Sequence, residues 1–338
     1  MTPAFFRAAT HAFSRDFANR CAPHFVLPAL VLLALPAMAF SSWVTLTLAG
    51  LAMGMMLFLM ASGLTLIFGL MDVLNFAHAG FVTLGAYLTV SVFGAFSGLV
   101  AADSLALNLL ALGMALLVAA VVSGAFGFAF EHVIIRRVYG SHLQQILITV
   151  GGLIVAEQLI VLVWGAEPLH VAKPESLRGS FIIGGAAIEK YRIAAVALGL
   201  LIYLAMHLVL NRTRIGLLVR AGVENREMVE ALGFRVRRLF VGVFIAGTAL
   251  AGIGGVMWAV YQELVTTAIG ADMTILMFIV VIIGGLGSVS GCFVGAMLVG
   301  LTANYTGFLA PKLALGSSIA LMVLILLWRP RGLLPVAK

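Results

Sequence analysis

The chain has 338 residues, of which 63% are hydrophobic and only 10% charged, with a mean hydropathy of +1.16 and a formal net charge of +7. Soluble domains carry roughly 25% charged residues, so this composition excludes a water-soluble globular protein. The apolar runs are continuous rather than alternating, which excludes an outer-membrane barrel, and the excess positive charge sits in loops, where it gives no case for nucleic-acid binding.

A helix crosses the hydrocarbon core with about 20 apolar residues, and helices satisfy their own backbone in lipid. The sequence therefore predicts an all-α polytopic membrane helix bundle of about ten spans. In chain order they cover residues 24–42, 46–70, 79–96, 105–130, 146–164, 192–210, 239–261, 273–288, 291–307 and 314–328. The last three are short and broken by glycine, so one of them is a candidate re-entrant segment. The N-terminus is too long and too punctuated for a cleaved secretory signal, and the apolar run from Phe25 is expected to stay as an anchor. Residues 1–45 then form an N-terminal extension with an extra span. Cys21 and Cys292 fit no metal or redox spacing, so no metal, cofactor or disulfide is expected.

Ten crossings put both termini on one side. The loops of that side hold fifteen of the twenty Lys and Arg residues. The other five are Lys173, Arg178, Lys190, Arg192 and Lys312. Such a split marks the basic side as cytoplasmic. The longest external loop, residues 165–191, is either a plain connector or a small cap or hairpin on which an external partner docks.

Polar groups within spans are costly and thus functional candidates. The richest set lies between the second and third spans, in GLMDVLNFAHAGF: Asp72, Asn75 and His78. In a helix all three would share roughly one face. Gly69, Gly80 and Gly85 around them permit a broken helix of the kind found where transporters bind substrate or hinge. The three residues either contact substrate or gate its path, or they cap a helix end. Glu157 and Gln158 lie in the fifth span and either line the path or make a satisfied interhelical bond. His207 and Glu263 sit near span ends and are expected at the interface.

The loop from 211 to 238 contains seven arginines and a short amphipathic stretch, VENREMVEALGF. Met228, Val229, Leu232 and Phe234 supply apolar anchors, Glu224, Arg226, Glu227 and Glu230 are expected to be exposed, and Gly233 is placed as a helix stop. Such a helix either rests on lipid headgroups or presents a knob to a protein partner. Further on, small residues recur four apart, as in Gly247-xxx-Ala251 and Ala296-xxx-Gly300, a spacing that lets helices approach closely in lipid. The cluster IIGGLGSVSG reads as a helix break. It lacks the lysine of a phosphate loop, and no GxxxxGK[ST] motif occurs anywhere in the chain.

Several stretches resemble the branched-chain amino acid permease family of ABC importers, of the LivH type. They are GLTLIFGLMDVLNFAHAGFVTLGAY (63–87), LITVGGLIVAEQ (147–158), TRIGLLVRAGVENREMVEALGFRVRRLFVGVFIAG (213–247), VVIIGGLGSVSGCFVGAMLVG (280–300) and RPRGLL (329–334). NFAHAG and the VENREMVEALGF loop are the most specific signals, although Ala79 stands where many relatives carry Glu. The resemblance implies a permease domain over 46–335 and a transmembrane subunit in the bacterial inner membrane, translocating branched-chain or related amino acids. Urea, short amides and aromatic acids are alternative substrates. It also implies that residues 222–234 of the cytoplasmic loop 211–238 act as a coupling helix. Glu224, Asn225, Arg226, Glu230, Ala231, Leu232 and Gly233 would then meet the ATPase. The expected partners are a second permease subunit, two cytoplasmic ATP-binding subunits, a periplasmic substrate-binding protein and membrane lipid. The chain itself would not be an enzyme. The competing expectation is an ion- or proton-coupled secondary transporter using Glu157, or Asp72 and His78, as a relay.

Overall fold

The computed structural model describes residues 25–224 and 226–335. Its helices are, in order, α1 (Phe25–Ala37), α2 (Phe40–Met71), α3 (His78–Ala95), α4 (Ser97–Val100), α5 (Leu105–Val133), α6 (His142–Trp164), α7 (Lys190–Arg212), α8 (Arg214–Glu224), α9 (Arg226–Ala231), α10 (Val236–Gln262), α11 (Ile269–Gly284), α12 (Val289–Leu309) and α13 (Ala314–Trp328). Four short strands accompany them: β1 (Leu169–His170), β2 (Ser180–Ile183), β3 (Ala186–Glu189) and β4 (Leu264–Val265). Seven helices (α2, α3, α5, α6, α7, α10 and α12) are long and apolar enough to cross a membrane, and α1, α11 and α13 are shorter apolar helices. These ten apolar helices correspond to the ten predicted runs, with three corrections. The break after the first run falls at residues 38–39, following Pro36, so α2 already begins at Phe40. The run placed at 273–288 is helical from Ile269 to Gly284, because the polar TTAIGAD stretch feeds into it. The run at 291–307 lies within a full-length helix, α12.

α2 is the hub. Residues Met56 to Ala61 are completely buried, and α12, α10 and α7 all pack on this helix. Close approach depends on glycine. A Cβ at Gly63 would run into the Gly247 carbonyl, one at Gly85 into the Gly252 carbonyl, and one at Gly255 into the Val82 carbonyl. The small-residue spacing of α10 and α12 is therefore a packing device: with little hydrophobic drive between helices in lipid, dispersion at short range holds them together. α1 folds back on this hub. The Trp43 indole N–H donates to the Val31 carbonyl at 2.8 Å, and Leu27 and Leu30 pack around Leu301 and Tyr305 of α12.

One end of the bundle gathers the predicted basic loops. The carboxyl ends of α2, α5, α7 and α13 meet there with the amino ends of α6, α10 and α12. The predicted break between α11 and α12 is a turn at residues 285–288, with Gly285 and Gly287 at φ +100° and +79°. The Ser288 side chain caps α12 by accepting from Gly291 N–H at 3.0 Å. The RPRGLL segment tucks under this turn, where Leu333 and Leu334 donate their N–H groups to Ile283 and Gly284.

At the opposite end the loop 165–191 is folded rather than plain. β1 pairs with β4, and β2 pairs with β3 across Gly184 and Gly185, both at positive φ as a tight hairpin turn requires. Lys173, read from sequence as one loop charge among several, is only 6% exposed. Its Nζ lies 2.6 Å from Glu189 and 2.7 Å from Glu263, while Arg192 meets Glu189 at 2.9 Å. Burial opposes the Lys173 charge, yet hydrogen bonds and attraction from both carboxylates outweigh it and raise its pKa. Burial likewise pushes Glu189 up, but Lys173 and Arg192 outweigh it and hold the pKa below the ordinary value. This ion cluster ties the loop to α7 and to the end of α10. Lys173→Met is expected to destabilise the protein by about 1–3 kcal/mol, at the low end because Glu263 is half exposed. The depressed Glu189 makes this contribution present above the ordinary carboxylate range and lost as pH falls. The difference in melting temperature between wild type and variant should thus close below roughly pH 4. A difference that persists undiminished at low pH would mean that the cluster does not act through ionised Glu189.

Candidate functional site

The backbone is unwound within the membrane-spanning bundle. α2 ends at Asp72, which adopts a left-handed conformation (φ 52°, ψ 37°). Residues 73–75 are irregular and α3 begins only at His78. His78 Nε2 donates to the Met60 carbonyl at 3.0 Å. Met60 lies eleven residues before the end of α2, about 16 Å up that helix at 1.5 Å per residue. Segment 72–77 therefore runs back along α2 to mid-depth before the chain turns into α3. Non-helical backbone at such depth persists only where protein or a water-filled cavity satisfies it. Here α6 supplies the partners. Leu74 N–H donates to Gln145 Oε1 at 3.4 Å and Phe76 N–H to Thr149 Oγ1 at 3.2 Å. Gln145 and Thr149 are both buried.

The unwinding separates the three residues that a helix would have aligned. The Asp72 side chain is 76% exposed at the basic end, with His142 3.7 Å away. Asn75 and His78 are each 1% exposed. Among the described residues neither amide atom of Asn75 has a hydrogen-bond partner, and neither has His78 Nδ1. An unpaired buried polar group costs roughly 1–3 kcal/mol, so two such residues in one unwound stretch mark it as more than a connector. Glu157 is half-buried and Gln158 exposed on α6, and neither makes a hydrogen bond or ion pair among the described residues. His207 is exposed beside Asn211, as a residue near a span end should be. Sequence reasoning missed Gln145 and Thr149, although their four-residue spacing in an apolar run was visible. It also missed Glu131, which is buried at the end of α5 with Tyr139 O–H donating to its Oε1 at 3.0 Å.

At the basic end, α8 and α9 cross between α7 and α10. α9 closes with a glycine stop: Gly233 sits at φ +87°, with Phe234 N–H donating to Val229 O and Gly233 N–H to Glu230 O. This paired pattern leaves few alternatives to glycine at the left-handed position. The apolar side chains divide differently from expectation. Only Val229 is an anchor, 5% exposed, whereas Met228, Leu232 and Phe234 are 62%, 70% and 49% exposed. A helix of six residues has one inward-facing position to spend on packing, and the rest of its apolar surface faces out. Glu230 and Ala231 are exposed as well. Asn225 lies outside the described residues, as do the side chains of Glu224 and Arg226. An open groove of about 630 Å³ runs beside α9, lined by Phe128, His132, Glu230, Arg235 and Arg238 among others.

The family described as the branched-chain amino acid transport system permease component matches residues 46–328. The chain is 27% identical over 291 residues to the high-affinity branched-chain amino acid transport system permease protein BraD of Pseudomonas aeruginosa, covering 84% of this chain and 93% of the relative. It is 26% identical over 292 residues to LivH of Escherichia coli K12, with the same coverage. A more distant similarity, 23% over 375 residues, links it to LivM of the same organism, covering 99% of this chain and 83% of the relative. No solved structure matches the chain. With seven helices long enough to span a bilayer, it is a multi-pass membrane permease of the bacterial inner-membrane type, and it belongs to the family of branched-chain amino acid transport system permease components.

Proposed function

We propose that the chain is one transmembrane subunit of an ATP-driven ABC importer that carries branched-chain or related amino acids, with its basic end in the cytoplasm. The match to permease components along residues 46–328 carries this. The missing phosphate-loop motif leaves ATP hydrolysis to separate subunits, and a periplasmic binding protein delivers the solute. Similarity to proteins named LivH and LivM alike supports pairing with a second, related permease. In this scheme the exposed Met228 and Leu232 of α9 seat in the ATP-binding subunit. Movement passes through Val229 to α10, which packs on α2, α3 and α5. Segment 72–77 is where such movement has the least helical backbone to break.

Two experiments follow. With neighbouring gene products reconstituted in liposomes, uptake should require ATP and ignore an imposed proton gradient. Uptake that follows the gradient without ATP belongs to a secondary transporter instead. Asn75→Leu removes two buried polar atoms that have no partner among the described residues. As a helix-end cap, Asn75 would leave transport unchanged or lose stability when replaced. As part of the moving site, its replacement should keep or raise the melting temperature while lowering uptake about tenfold.

A further inference from the structure

We infer that the outward face of α11, centred on Asp272, lines the aqueous path of the assembled transporter and that Asp272 meets the ammonium group of the solute, an inference that rests on the importer proposal above. Gly270, at the start of α11, packs against the Ala79 carbonyl, and its N–H donates to Thr83 Oγ1 at 3.0 Å. That turn of α3 stands beside His78, which contacts Met60 about 16 Å from the basic end of α2. Asp272 is two residues further on. Counted from the other direction, it lies twelve residues above the end of α11 at Gly284, about 18 Å. Both estimates place its carboxylate near the middle of a hydrocarbon core about 30 Å thick.

At that depth Asp272 is exposed, as are Ala268, Ala271 and Ile275 on the same face. It makes no hydrogen bond or ion pair among the described residues apart from its helical backbone bond. A carboxylate there cannot face lipid without a large cost, so its face meets water or a polar partner.

A second acid lies at the same level. Gly80, next to Ala79, packs on Ala156 of α6, and Glu157 follows Ala156. α6 and α11 thus flank the first turn of α3, each carrying a half-buried or exposed carboxylate with no bonded cation among the described residues. Among the described residues no Lys or Arg lies in the middle of a span. Two acids at one depth with no resident cation suit a solute that brings its own, and an amino acid carries a primary ammonium.

The test uses the complete transporter with both permeases, ATP-binding subunits and binding protein. Asp272→Asn should lower ATP-driven amino-acid uptake at least tenfold with assembly and basal ATPase activity retained. Asp272→Glu should recover part of the loss, and Glu157→Gln should lower uptake severalfold. Ala271→Cys and Asp272→Cys should react with a membrane-impermeant, positively charged thiol reagent above the blank set by the unsubstituted protein. Wild-type uptake in Asp272→Asn, or no labelling at either position, overturns the inference. Loss of subunit assembly in Asp272→Asn does so too, since that assigns the residue to a protein contact. Should wild-type uptake prove independent of ATP, the importer proposal fails, while the labelling still reports whether this face is wet.

Discussion

Gly63→Ala is expected to leave little folded protein in the membrane. The added carbon would meet the Gly247 carbonyl and the carbon behind it, and the His78 ring stands on the same side at 2.9 Å. Backbone cannot rotate out of the way as a side chain can, so α2 and α10 must separate along their contact. Overpacking usually costs roughly 1–3 kcal/mol. Here the cost should exceed that range, because the separation also pulls His78 from Met60 and loosens the helix around which the bundle is built. Gly94→Ala is the matched control: no atom lies within 4 Å of its added carbon, and alanine is the better helix former by about 0.5–1 kcal/mol. Membrane levels and melting temperature in detergent should fall sharply for the first variant and hold or rise for the second. Equal behaviour would mean that the α2–α10 approach is looser than the glycine contact requires.

Leu232→Asp is expected to stop transport without unfolding the protein. Leu232 is 70% exposed and closes an apolar knob with Met228, one helical turn away. Exposed substitutions usually change stability by no more than about 0.5 kcal/mol, so the melting temperature should stay where it is. If α9 seats in a pocket of the ATP-binding subunit, a buried, unpaired carboxylate there costs several kcal/mol, which is enough to reduce uptake a hundredfold or more. Val229→Asp should behave differently, because Val229 is the buried anchor, and it should lose folding and transport together. Normal uptake and normal ATPase stimulation in Leu232→Asp would remove α9 from the force path.

What could be read from residues alone was local. Continuous apolar runs locate the ten helices, since lipid leaves the backbone no other choice. Gly233 and the GGLGS cluster mark a stop and a break because left-handed turns select glycine wherever they fall. NFAHAG stands out as a polar island flanked by glycines, but residues alone do not decide between a helix that aligns Asp72, Asn75 and His78 and a broken one that separates them. The unwinding depends on Gln145 and Thr149, some seventy residues away, and no local signal carries that. Lys173 is hidden in the same manner, since its burial needs Glu263 across the loop. Asp272 escaped notice because the span was drawn to start one residue after it. An acid at a helix start resembles an interfacial cap until Gly270 is seen to pack at mid-depth.

The most direct test of force transmission through α9 is a cross-link. Leu232→Cys in the complete transporter, treated with a short bifunctional thiol reagent against single cysteines placed along the surface of the ATP-binding subunit, should give one strong adduct. Its yield should change when ATP is trapped on the enzyme. If Leu232→Cys forms no adduct at any position while the transporter stays assembled and active, α9 does not touch the ATP-binding subunit and the coupling account is wrong.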